Sequence, residues 1–117
     1  MANLLEKTPA QTIKQLQSDL NLSRDELAGA LRTSPRTVQR WQKSGTHPQN
    51  EARRRLNDLV APDRHLQDTF GSSEGAQTWL HTSNRHLGGM TPAEAMRAGR
   101  VDRVEAALEA LDSGIFV

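Results

Sequence analysis

The chain has 117 residues, a net charge of +1 and no cysteine; 35% of it is hydrophobic and only 3% aromatic. These totals suit one compact domain or two small helical modules sharing a core. They exclude a disulfide framework and a thiolate metal site, and they favour packed helices over a β-sandwich, whose strands need β-branched and aromatic runs. No apolar run approaches the roughly 20 residues needed to cross a bilayer. No basic patch followed by an apolar stretch opens the chain, so a soluble cytoplasmic protein without a signal peptide is expected. The small net charge hides an asymmetry: residues 1–60 hold ten Lys/Arg against six Asp/Glu, and residues 61–117 hold five against eight. A basic front and an acidic back suggest two different partners.

Residues 1–8 read as a frayed arm. Pro9 opens a first helix with Ile13, Leu16 and Leu20 at helical spacing. Ser23-Arg24-Asp25-Glu26 is a capping box that starts a short helix through Leu31. Ser34 then serves as N-cap, with Pro35 at N1, for a third helix to about Ser44, ended by Gly45. A fourth helix begins near Asn50 with Leu56, Leu59 and Val60 inward; Pro62 bends or ends it, and helix is expected to resume from Asp63 toward Phe70. Gly71-Ser72-Ser73 is the clearest break between the halves. Beyond it, Glu74 to His81 form a helix whose Trp79 and Leu80 are expected in the core joining the halves. A glycine-bearing loop, Asn84-Arg85-His86-Leu87-Gly88-Gly89, leads to a second capping box, Thr91-Pro92-Ala93-Glu94, whose helix ends at Gly99. The last helix places Val101, Val104, Leu108 and Leu111 on one face and stops at Gly114, before Ile115-Phe116-Val117. The fold class expected is all-α.

Arg24 to Lys43 fits a helix-turn-helix. Ala28 is the small residue where the two helices cross, Leu31 the apolar plug beneath the turn, and Val38 the core-facing residue ten positions after Ala28, with Trp41 on the same face. Arg32 stands where many such modules have glycine, and is expected to continue the first helix by one residue. Ser34, Arg36, Thr37, Gln39, Arg40 and Lys43 are the candidate DNA-binding residues. Arg pairs with guanine O6 and N7 and Gln with adenine N6 and N7, while Ser and Thr hydroxyls with helix N-terminal amides suit phosphate. The alternative is a solvated basic face on a structural helix. Arg53-Arg54-Arg55 point in different directions on a helix, so they supply one or two phosphate contacts or a solvated face. The four histidines lack ligand spacing apart from His81 and His86, so neither metal nor cofactor is expected.

Ala76-Gln77-Thr78-Trp79-Leu80, Asn84 to Gly89, Thr91-Pro92-Ala93-Glu94, Arg103-Val104 and the ending Gly114-Ile115-Phe116-Val117 follow Ser34-Pro35-Arg36-Thr37-Val38-Gln39-Arg40-Trp41 in an order that resembles the Xre-type (MbcA/ParS-like) antitoxins of Xre–RES toxin–antitoxin pairs. The resemblance implies an N-terminal helix-turn-helix domain (residues 1–62) that binds promoter DNA as an autorepressor. It also implies a smaller helical toxin-binding region (residues 63–117) that blocks the active site of a RES-domain, NAD-consuming toxin. Asn84, Arg85, Arg103, Gly114, Ile115, Phe116 and Val117 are the toxin-binding residues it implies. Asn84 and Arg85 instead cap the preceding helix and pin the glycine loop if their role is local, and the apolar tail instead folds onto its own core. A homodimer, or a higher toxin–antitoxin hetero-oligomer, would present two recognition helices one DNA turn apart, roughly 34 Å. The competing function is a stand-alone repressor whose C-terminal half dimerises it. An enzyme is not expected, because no nucleophile–base pair, phosphate cradle or paired carboxylate stands out.

Overall fold

The computed structural model of the chain describes residues 8–43 and 46–114. Among these residues the fold is all-α, without a strand: α1 (Pro9–Leu20), α2 (Arg24–Ala30), α3 (Pro35–Lys43), α4 (Asn50–Asp58), α5 (Val60–Phe70), α6 (Ser73–Leu80), a 3-10 turn (Arg85–Leu87), α7 (Pro92–Arg97) and α8 (Val101–Asp112). Ser44 and Gly45, where the third helix was expected to stop, lie outside the described residues, as does the tail Ile115-Phe116-Val117.

Helices of six to twelve residues hold poorly alone, so their ends need partners. Three capping boxes supply them. Glu26 N donates to Ser23 Oγ at 3.0 Å while Ser23 N donates to Glu26 Oε1 at 2.8 Å. Thr91 and Glu94 repeat this at the start of α7. The third, Thr8 with Gln11, makes Thr8 the N-cap of α1 rather than part of a frayed arm. The buried side chains form one cluster that runs through Ile13, Leu27, Leu31, Val38, Leu66, Leu80, Met96 and Leu108. α1 lies at its centre, in contact with α3, α4, α5 and α6.

α2 packs on α7 with their backbones in contact. A Cβ at Gly29 would overlap the Arg97 carbonyl oxygen. Both helices end there in the same way. Arg32 N donates to Gly29 O and Thr33 N to Ala28 O; Gly99 N donates to Met96 O and Arg100 N to Ala95 O. This double bond pattern is a Schellman turn, and its C′ residue must be left-handed. Gly99 has φ +79, as expected of its glycine, and Arg32 has φ +56. Arg32 therefore does not extend α2 but takes the turn position itself, because the chain must reverse at once to start α3.

Two further expectations are corrected. The break near Pro62 falls upstream of it, at Leu59, and α5 already starts at Val60. A proline ring clashes with the carbonyl four residues earlier, here Asp58, while the proline itself fits a helix's first turn. Leu80 is fully buried, but Trp79 is only partly so and lies against Phe70, with ring centroids 6.1 Å apart.

Gly29→Ala is expected to destabilise the protein by about 1–3 kcal/mol in urea denaturation, since overpacking here meets backbone. Arg32→Gly is expected to stabilise it by about 0.5–1 kcal/mol by removing the left-handed cost. A loss instead would show that the arginine stem packed over Gly99 outweighs the strain.

Candidate functional site

The α2–turn–α3 unit presents its polar face as the sequence period requires. Val38 and Trp41 are buried, and Arg36, Arg40 and Lys43 are exposed. Thr37 and Gln39 are half-buried. Ser34 Oγ accepts from Thr37 N at 3.1 Å and lies 2.9 Å from Thr37 Oγ1, so both hydroxyls already serve the start of α3. Arg40 and Lys43 sit in its last turn, where positive charge complements the helix dipole. The turn of α3 toward α1 is fixed by Gln42 Nε2, which donates to Gln17 Oε1 at 2.7 Å. Sequence spacing did not reveal this bond, because its partners are 25 positions apart.

The arginine run divides. Arg54 and Arg55 both reach Glu51, each at 3.3 Å, and Arg53 points out on another side. Arg32, Arg54, Arg55 and Arg100 line one cleft between the helix-turn-helix, α4 and the start of α8, together with Glu51, Asp58 and Asp102.

On the other half, Asn84 organises the glycine loop. Its Oδ1 accepts from His86 N at 2.9 Å, its N–H donates to Met90 O at 2.9 Å, and its carbonyl accepts from Leu87 N and Gly89 N at 3.0 Å. It thus caps the 3-10 turn that follows it, not the helix that precedes it. Arg85 is exposed beside it. Arg103, exposed on α8, shares a shallow pocket with His86. Gly114 lies eleven residues further on, about 16 Å along a helix axis, so these candidates do not converge on one spot. His81 contacts Gln77 O and Glu26, and among the described residues no group of three metal-ligating side chains gathers. No helix among them is long and apolar enough to cross a membrane.

Three exposed carboxylates are held below their ordinary range. For Glu94 the causes are the Thr91 backbone N–H and then its hydroxyl; for Asp102, the Arg100 guanidinium; for Asp112, His65 and then Thr69.

Residues 65–114 match the antitoxin Xre/MbcA/ParS C-terminal toxin-binding domain. The chain is also 31% identical to the mycobacterial cidal antitoxin MbcA of Mycobacterium tuberculosis and of Mycobacterium bovis, over 92% of its own length and 95% of theirs. The chain belongs to the Xre/MbcA/ParS antitoxin family. A chain of the M. tuberculosis MbcT–MbcA toxin–antitoxin complex superposes on it with a TM-score of 0.66 at 30% identity, covering 99% of this chain and 100% of that one. As an antitoxin it is a binding protein, not an enzyme. The part shared with the family's toxin-binding domain begins at His65 and ends at Gly114, and so contains Asn84, Arg85 and Arg103.

A carboxylate with a depressed pKa contributes stability above the ordinary carboxylate range and loses it as pH falls through the folded value. The thermal midpoint of the antitoxin is therefore expected to hold from pH 7 to 5 and to fall below about pH 4. Glu94→Ala should flatten part of that fall; an unchanged pH profile would show that the α7 capping box contributes nothing measurable.

Proposed function

We propose that residues 63–117 bind and neutralise a cognate RES-domain, NAD-consuming toxin by blocking its active site, and that residues 1–62 bind the operator of the same genes as an autorepressor in the cytoplasm. The observation that carries the first half is full-length similarity to a chain from a solved toxin–antitoxin complex. The RES assignment rests on the motifs around Trp79, Asn84 to Gly89 and Thr91 to Glu94. In this reading the apolar Ile115-Phe116-Val117 enters the toxin's cleft, and Asn84, Arg85 and Arg103 border the contact. Burial of such a tripeptide removes apolar surface from water at about 25 cal/mol per Å².

The second half is supported by the exposed Arg36, Arg40 and Lys43 on a capped α3. Gln39 completes the base-reading set, and Ser34 and Thr37 present the helix N-terminus to phosphate. Two copies, as a homodimer or within a larger assembly with toxin, would bring two recognition helices to a pseudo-palindrome.

Co-purification with the product of the neighbouring gene, followed by an NAD-consumption assay, tests the first half. A stable complex that becomes active only when this chain is removed is expected. Deleting Ile115 to Val117 should abolish neutralisation and spare operator binding; neutralisation that survives the deletion removes the plug. No complex, beside salt-sensitive promoter binding, would leave a plain repressor. Arg36→Ala and Arg40→Ala should each cost about 1–3 kcal/mol of operator binding if their guanidinium groups pair with bases. Unchanged operator affinity in both variants takes them out of the reading set.

A further inference from the structure

Two of the chain's four aromatic residues stand side by side at its surface. Phe70 at the end of α5 and Trp79 in α6 are half-buried, with ring planes tilted by 39°. They line an open groove between the two helices. Gly75 makes room for it: a Cβ there would lie 3.0 Å from Phe70 Cβ and 3.2 Å from Ser72 Oγ, so glycine is what lets Phe70 lie against α6. Leu66 on α5, with Ala76 and Leu80 on α6, already closes the core beneath the rings.

The hydroxyls around the rings are committed to the protein's own backbone. Ser72 Oγ accepts from Gly75 N at 3.0 Å, Thr78 Oγ1 donates to Glu74 O at 3.0 Å, and Thr82 Oγ1 donates to Thr78 O. The groove is therefore mostly apolar, and covering it strands none of these hydroxyls, which is the usual cost of drying a surface. Glu74 is the one charged residue that lines it, so it offers nothing to the phosphates of an operator. Every lining residue, from Phe70 to Thr82, falls within residues 65–114, the segment that matches the family's toxin-binding domain. Thr82 is two residues before Asn84, so the groove runs into the loop read above as bordering the toxin.

We propose that the Phe70–Trp79 groove is a contact surface for the cognate toxin and takes an apolar side chain of the toxin against its two rings. Paired aromatic side chains inside a polar rim are the usual make-up of an interface hot spot. This rests on the reading that residues 63–117 bind a toxin, but not on the C-terminal tripeptide.

The test measures the affinity of the full chain for the purified toxin encoded by the neighbouring gene, in the wild type, Trp79→Ala and Thr78→Lys. Thr78→Lys is the deciding variant, because Thr78 is exposed and the substitution places a charge on the groove without touching the core. Both variants should weaken toxin binding about tenfold or more, and Thr78→Lys should leave the thermal midpoint and operator binding unchanged. Thr78→Lys that binds toxin as tightly as the wild type overturns the proposal. So does a Thr78→Lys chain whose self-association alone, in sedimentation, differs from the wild type, since the groove would then be covered by a second copy. A thermal midpoint that falls with Thr78→Lys in the full chain but not in a chain ending at Gly114 also overturns it, by making the chain's own tail the occupant. If the wild-type chain binds no toxin, the toxin-binding reading fails and the proposal with it; if the wild type binds and Thr78→Lys binds equally, only the proposal fails.

Discussion

Where α2 crosses α7 there is no side chain to separate the two backbones, and most of the molecule's geometry follows from that crossing. Gly29 lies directly over the Arg97 carbonyl, Arg32 reaches over Gly99, and both helices reverse there through left-handed turns. α2 is the first helix of the helix-turn-helix, so the crossing sets where α3 can lie through Ala28, Leu31 and Val38. α7 hands the chain to α8 within three residues, so the same crossing sets the C-terminal surface. The buried side chains of residues 1–62 and 63–117 form one cluster across it. A boundary near residue 62 thus separates proposed tasks rather than separate cores.

A core this poor in aromatic rings has to gain its stability from close approach and closed ends. α2 and α7 have seven and six residues, far below the length at which a helix holds alone in water. Each starts with a capping box and ends with a Schellman turn, so the orphan donors and acceptors of both termini are largely satisfied. Small residues do the rest. Ala28 and Ala30 on α2, and Ala93 and Ala95 on α7, are buried, and they let the helices approach until backbone meets backbone. The left-handed cost at Arg32 is accepted at one position of this arrangement.

What the sequence made legible is what depends on neighbours in the chain. Ser23 with Glu26, Ser34 with Pro35, Thr91 with Glu94, and Gly99 each state a helix end within four residues, and the structure places those ends there. The apolar period likewise put Val38 and Trp41 inside and Arg36, Arg40 and Lys43 outside. Arg32 reads as helix because arginine carries no local signal for a left-handed turn; the reversal that starts α3 at Pro35 imposes it. Pro62 was misread because its clash acts four residues upstream. Trp79 packs against the core but stays partly exposed beside Phe70, a degree of burial that size and hydrophobicity do not state. Asn84 does cap a local element, but it is the 3-10 turn that follows it rather than the helix that precedes it.

The contacts least visible in the sequence share one physical role. Gln42 ties α3 to Gln17, Gln77 Nε2 donates to the Ser18 and Asp19 carbonyls at the end of α1, and Asp112 joins α8 to His65 and Thr69. Each is a polar side chain that bridges between 25 and 59 positions of sequence. Apolar burial is non-directional: it fixes a helix axis against the core but leaves the helix end free to swing or fray. A hydrogen bond is directional, and placed at a helix end it removes that freedom at little cost, since both groups remain near water. The core of this antitoxin therefore decides where α1, α3 and α8 lie, and these exposed or half-buried bonds hold their last turns to the neighbouring helices. That second kind of order is what hydrophobic pattern alone cannot encode.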